Sequence, residues 1–144
     1  MRLPLNRHPH VMLIDDDEDD YFLLKGAFST YSDQVQLTHQ RTATNLMDAL
    51  LQLTRLPDLI LLDLNLPPLN GLEVLATLKQ DARTRQIPVL IWSGSIAQDQ
   101  LRQCYEGGVS SVLLKSADQH SLVEAVQRIC TYWFEVMLLP DNSV

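Results

Sequence analysis

Residues 59–67 read Leu59-Ile60-Leu61-Leu62-Asp63-Leu64-Asn65-Leu66-Pro67. Four consecutive apolar residues, with no polar alternation, stop at a carboxylate. So short an unbroken run suits a strand buried on both faces, as in a parallel sheet. The same pattern recurs. Val11 to Ile14 ends in Asp15 and Asp16, Val89 to Trp92 ends in Ser93-Gly94-Ser95, and Val112 to Leu114 ends at Lys115. Val35 to Thr38, a Val, Leu, Thr alternation, supplies a fifth candidate strand.

Helical stretches separate these runs. Tyr21, Leu24, Lys25 and Phe28 recur at helical spacing, and Asp19 and Asp20 suit the positive end of the helix dipole. Thr44 is a candidate cap for a helix carrying Leu46, Ala49, Leu50 and Leu53. Gly71 to Lys79 carries Leu72, Leu75 and Leu78, and Ala97 to Tyr105 runs into Gly107-Gly108, a plausible C-cap. Asp118 to Phe134 carries Leu122, Val126, Ile129 and Trp133. Strand and helix alternate five times, which predicts an α/β fold: a doubly wound, mostly parallel sheet with helices on both faces.

In such a sheet, ligands sit beyond the carboxyl ends of the strands. The strands here end in Asp15 and Asp16, in Asp63, in Ser93 and in Lys115. Each alone has an ordinary reading: a helix-start acid pair, a structural Asp, turn chemistry, a surface lysine. Together they would converge on one rim. Clustered carboxylates repel unless a cation sits between them, and an all-oxygen set suits Mg²⁺. A carboxylate can be phosphorylated as an acyl phosphate, so Asp63 is a candidate nucleophile as well as a ligand. The three equatorial oxygens of a transferring phosphoryl group would then be shared among Mg²⁺, Lys115 and the Ser93 hydroxyl.

The bulk numbers narrow the field. A chain of 144 residues, 46% hydrophobic, can bury the core of one domain. A net charge of -7, much of it in the acidic run at residues 15–20, argues against a nucleic-acid partner. No apolar stretch approaches the roughly 18 residues of a membrane helix, and the N-terminus lacks a signal peptide's apolar region. Cys104 and Cys130 lack a CxxC spacing and read as reduced, partly buried thiols. The expectation is a cytoplasmic protein with no direct membrane contact. His8, His10, His39 and His120 show no metal-ligand spacing and read as ordinary residues, and Glu18 to Asp20 read as a solvated helix start.

These motifs resemble the receiver domains of two-component response regulators. The residues that carry the likeness are Ile14-Asp15-Asp16, Leu61 to Pro67 with Gly71 eight residues past Asp63, Pro88 to Ser93, and Val112 to Lys115. Ser93 lies 30 residues and Lys115 lies 52 residues beyond Asp63, the family's usual spacings. The resemblance covers about residues 10–134 and implies a flavodoxin-like receiver fold with strand order 2-1-3-4-5. It implies that Asp63 accepts a phosphoryl group from the phosphohistidine of a sensor histidine kinase. It implies that Asp16, Asp63 and the backbone carbonyl of Asn65 hold Mg²⁺, with Asp15 acting mainly through a water. Ser93 would move to meet the phosphoryl group, and Lys115 would pair with it. The only chemistry expected is self-catalysed phosphorylation and dephosphorylation, so the chain is not read as an enzyme. A haloacid-dehalogenase-type phosphatase would need a second Asp two residues past the nucleophile, where Asn65 stands.

Two positions depart from the family pattern. Ser116 follows Lys115 where proline is usual, and Val112 occupies the aromatic switch position. Trp92 beside Ser93 reads as sheet packing rather than as a replacement switch. The ending Tyr132 to Pro140, the Lys-Ser pair and Leu-Asp-Leu-Asn-Leu-Pro around Asp63 are similar to single-domain regulators that pair with bacterial phytochromes. That likeness points to a phytochrome-like kinase as partner. Residues 135–144 read as a short tail, too little for an output domain. Output is therefore expected through contacts with a downstream protein or through onward phosphotransfer, or through an interaction module that works without phosphorylation. The apolar residues of the last helix and tail leave two readings open: a homodimer or partner surface, and a tail folded onto its own domain.

Overall fold

The computed structural model describes residues 8–67, 69–116 and 118–141. The N-terminal stretch before His8 and the last three residues of the 135–144 tail lie outside the described residues. Five parallel strands form the sheet: β1 (His10–Ile14), β2 (Gln36–Gln40), β3 (Leu59–Leu62), β4 (Val89–Ser93) and β5 (Ser111–Leu114). Their order is β2-β1-β3-β4-β5, so the chain reverses direction of travel across the sheet between β1 and β3. A separate two-residue antiparallel ladder pairs Asn65 with Asn70 and Leu66 with Leu69 just past β3, a feature the apolar pattern does not announce.

Alternate strand residues supply two cores, one on each face. Val11, Leu13, Leu59, Leu61, Leu90 and Trp92 pack under α1 (Glu18–Tyr31) and α5 (Gln119–Thr131). Met12, Ile14, Ile60, Leu62, Val89 and Ile91 pack under α2 (Leu46–Leu51), α3 (Gly71–Gln80) and α4 (Gln98–Glu106). Every residue of β1, β3 and β4 is buried, which is why these strands carry no polar alternation. Each fully buried Leu or Ile contributes about 1.5–3 kcal/mol against exposure. Cys104 and Cys130 are both free and buried, one in each core.

Helix boundaries follow their caps. The Asp17 side chain accepts from the Asp19 N–H at the start of α1, and the Asn70 side chain accepts from the Glu73 N–H at the start of α3. The cap of α2 is Asn45, in the left-handed region at φ 58°, and not Thr44. After α4 the left-handed position is Gly108, at φ +100°. The last helix ends its α-geometry at Thr131 and continues as a π-helical turn, Tyr132–Val136. Phe134 and Leu139 reach the α1–α5 core and Tyr31 bonds Glu135, so the tail folds back in part. Tyr132, Val136 and Leu138 remain exposed. No helix among the described residues is long and apolar enough to cross a membrane.

Candidate functional site

Sheet register builds the site. The ladder aligns Ile14 with Leu62, Leu62 with Ile91 and Ile91 with Val112. Backbone bonds carry the alignment past the strand ends: the Asp63 N–H donates to the Ile14 carbonyl (2.9 Å), and the Lys115 N–H to the Ser93 carbonyl (2.7 Å). Asp15 and Asp63 therefore emerge side by side. Oxygens of Asp15, Asp16 and Asp63 lie within 4.8 Å of one another. Asp15 and Asp63 are buried, whereas Asp16 is exposed at the mouth.

Lys115 bridges the acids. Its Nζ donates to Asp20 Oδ2 at 2.6 Å, and to Asp15 Oδ2 and Asp63 Oδ2 at 3.2 Å each. The other oxygens of the buried pair are also taken: Asp15 Oδ1 accepts the Asp17 N–H (2.9 Å), and Asp63 Oδ1 accepts the Asn65 N–H (3.1 Å). Burial pushes the Asp15 carboxyl up to about 7, opposed by the Asp17 N–H and by the Lys115 charge, while Asp20 and Asp63 push the same way as burial. Burial alone would lower the Lys115 ammonium. The bond to Asp20 and the charges of Asp15 and Asp63 outweigh it, so the ammonium is held well above the usual lysine range.

Ser93 is buried at the end of β4, but its hydroxyl donates to the Ser95 carbonyl (2.7 Å), within its own loop. Asn65 is exposed two residues past Asp63. Val112 is half-buried against the α2–α4 core, and Trp92 is buried on the opposite face. The set read from the strand ends was incomplete. Asp20, read as part of a solvated helix start, is Lys115's nearest partner, with its side chain only 19% exposed. The signal that would have found it is the row Asp20, Leu24, Phe28: the last two are buried, and four-residue spacing puts the first in line with them. His39, read as an ordinary residue, also adjoins the site. Its Nε2–H donates to the Asp15 carbonyl (2.6 Å), and its ring stacks on Tyr21 at 4.6 Å.

The carboxylates of Asp15, Asp16 and Asp63 are hard oxygens, and these three outnumber the ammonium of Lys115 beside them. That imbalance and donor chemistry fit a divalent cation such as Mg²⁺. The arrangement as a whole can hold a cation beside a nucleophilic carboxylate and set an ammonium over both.

Known proteins share this fold. The family described as response regulator receiver domain matches residues 11–127. The response regulator Rcp1 of Synechocystis sp. is 34% identical over 135 residues, covering 90% of this chain and 92% of that protein. The phosphorylated cyanobacterial phytochrome response regulator RcpA superposes with a TM-score of 0.85 at 33% identity, covering 93% of this chain and 99% of that one. The Mn²⁺-bound form of Rcp1 gives 0.81 at 34% identity, covering 92% and 99%.

Proposed function

The chain belongs to the response regulator receiver domain family, and from that premise we propose that it is a phosphorylation switch with Asp63 as acceptor. The receiver unit spans residues 10–134, the phosphodonor is a sensor histidine kinase, and the phytochrome-linked relatives favour a phytochrome-like one. Phe22 and Leu23, exposed on α1, offer the donor protein an apolar footing. In the transfer, an Asp63 carboxylate oxygen bonds to phosphorus as the phosphorus–nitrogen bond of the phosphohistidine breaks, and the electron pair leaves with the imidazole. Lys115, already 3.2 Å from Asp63, turns a donor to the phosphoryl oxygens. Ser93 must exchange its bond to Ser95 for one to the phosphoryl group, a discrete change by which the β4–α4 loop can report the modification. Asp15, Asp16, Asp63 and the Asn65 carbonyl would hold Mg²⁺, which would supply positive charge against the crowded anions.

The observation that carries this reading is the buried Asp63 beside two further acids and one ammonium. Wild-type protein with acetyl phosphate and Mg²⁺ gains one phosphoryl group by intact mass, and Asp63→Asn gains none. Equal labelling of both proteins would remove Asp63 as the acceptor. A second reading is an interaction module that works without phosphorylation, favoured by Val112 at the aromatic switch position and by Ser93 facing its own loop. It predicts partner binding that is indifferent to Asp63→Asn and to Mg²⁺.

A further inference from the structure

Lys115 has three N–H donors, and each meets a different carboxylate. Two of these, Asp15 and Asp63, belong to the oxygen set offered to a cation, and Asp63 is the group that would be modified. Asp20 belongs to neither role. It stands in the first turn of α1, on a helix capped by Asp17, and it makes the shortest of the three contacts, 2.6 Å. The lysine stem is a flexible four-carbon chain, so its ammonium needs fixing from outside. Asp20 is the one partner whose bond to Lys115 need not change when a cation or a phosphoryl group arrives.

We propose that Asp20 is a positioning residue, which holds the Lys115 ammonium over the Asp15–Asp63 pair so that one donor is already aimed where the phosphoryl oxygen will come. This rests on the reading of Asp63 as phosphoacceptor and adds a fourth carboxylate to the working site. Two effects of removing Asp20 compete. Loss of a partly exposed negative charge eases approach of an anionic donor by about fivefold or less. Loss of a preorganised donor to the developing charge costs about 100-fold or more. Positioning wins, so Asp20→Ala slows phosphorylation at least about tenfold, and Asp20→Asn, which keeps an acceptor in place, stays within about threefold of wild type.

The test is a double-mutant cycle read by intact-mass kinetics with acetyl phosphate and Mg²⁺, across wild type, Asp20→Ala, Lys115→Met and the double variant. If Asp20 acts through Lys115, Asp20→Ala slows the lysine protein and leaves the Lys115→Met rate unchanged or slightly faster. An equal slowing in both backgrounds overturns the proposal. A wild type that takes no phosphoryl group overturns the phosphoacceptor reading instead. The positioning claim is then read without a donor, from the NMR cross-peak of the Lys115 ε-methylene: displaced in Asp20→Ala and near wild type in Asp20→Asn supports it, and the same position in all three sinks it.

Discussion

Gly71 opens α3 directly behind the acceptor, and its N–H donates to the Leu64 carbonyl at 2.8 Å. A Cβ at this position would lie 2.5 Å from the Asp63 carbonyl oxygen and 2.7 Å from the Leu64 Cα. Both are backbone atoms, with no flexible side chain to yield. Ordinary contact begins at 3.4 Å, so Gly71→Ala must separate α3 from residues 63–64 by about 0.7–0.9 Å. Two terms of opposite sign act on stability. Alanine is better than glycine within a helix by about 1 kcal/mol. Overpacking a fitted contact costs about 1–3 kcal/mol, and a backbone clash belongs at the upper end. The net expectation is a loss of about 1–2 kcal/mol, or about 3–8 °C in Tm. Function suffers more, because a shift near 1 Å at a reacting group costs about 100-fold in rate. Gly26, in α1 with nothing within 4 Å of its Cβ position, is the internal control. Gly26→Ala gains about 0.5–1 kcal/mol and leaves phosphorylation alone. Urea unfolding and acetyl phosphate labling rates measure both. Gly71→Ala at wild-type stability and rate would refute the reasoning, since the close approach would then be soft.

Replacing Asp63 by Asn removes one of the crowded acids and keeps an acceptor for the Asn65 N–H, so metal-free Asp63→Asn is more stable than wild type by about 1 kcal/mol in urea. Saturating Mg²⁺ narrows that gap by stabilising wild type more. Burial, with the charge of Glu135 adding to it, pushes the Cys130 thiol up to about 12, and burial raises the Cys104 thiol as well. A disulfide reagent at neutral pH therefore labels neither thiol in the native protein and both in urea. Burial lowers the imidazole of His10, against the opposing charge of Asp58, and the ring is hydrogen-bonded to Thr38. Its folded pKa lies below the ordinary 6.5, so its contribution is intact above 6.5 and is lost as pH falls below that value. His10→Gln flattens the stability profile below pH 6.5, and an unchanged slope would assign the effect elsewhere.

The sheet was legible because its central strands are buried on both sides and so spell unbroken apolar runs. The edge strands were less so: β2 begins at an exposed Gln36, and it was read one residue early at its start and two residues short at its end. Local geometry explains the other boundary errors. Asn45 caps α2 from the left-handed region, which Asn tolerates and Thr does not, and it makes no side-chain cap bond, so the usual cap chemistry by which Thr44 was read does not operate here. The π-turn after Thr131 was hidden because Trp133 and Phe134 keep the helix's apolar spacing while the backbone widens. Among the site residues, those ending strands could be read one strand at a time. Asp20 and His39 could not, because their roles depend on which element lies over which. An acidic first turn looks the same whether it faces water or a lysine 95 positions away.

Face parity explains why Asp20 joins the cluster and the Ser93 hydroxyl does not. Side chains alternate across a strand. Leu13 and Leu61 point to the α1–α5 face, so Asp15 and Asp63, two residues further on, continue on that face. Leu113 shares it, and Lys115 follows at the same interval. Helix α1 packs there with Leu24 and Phe28 inward, which brings the Asp20 row over the same strand ends. Trp92 also faces α1 and α5, so its neighbour Ser93 falls in with Ile91 on the opposite side, where its hydroxyl meets Ser95. The alternation that sorts the apolar residues into two cores therefore also sorts the polar ends. One face carries the three acids paired to Lys115, and the other carries the hydroxyl that must cross over. A one-residue slip of β5 would exchange Lys115 for Ser116 at this position and take the ammonium that bridges the acids with it.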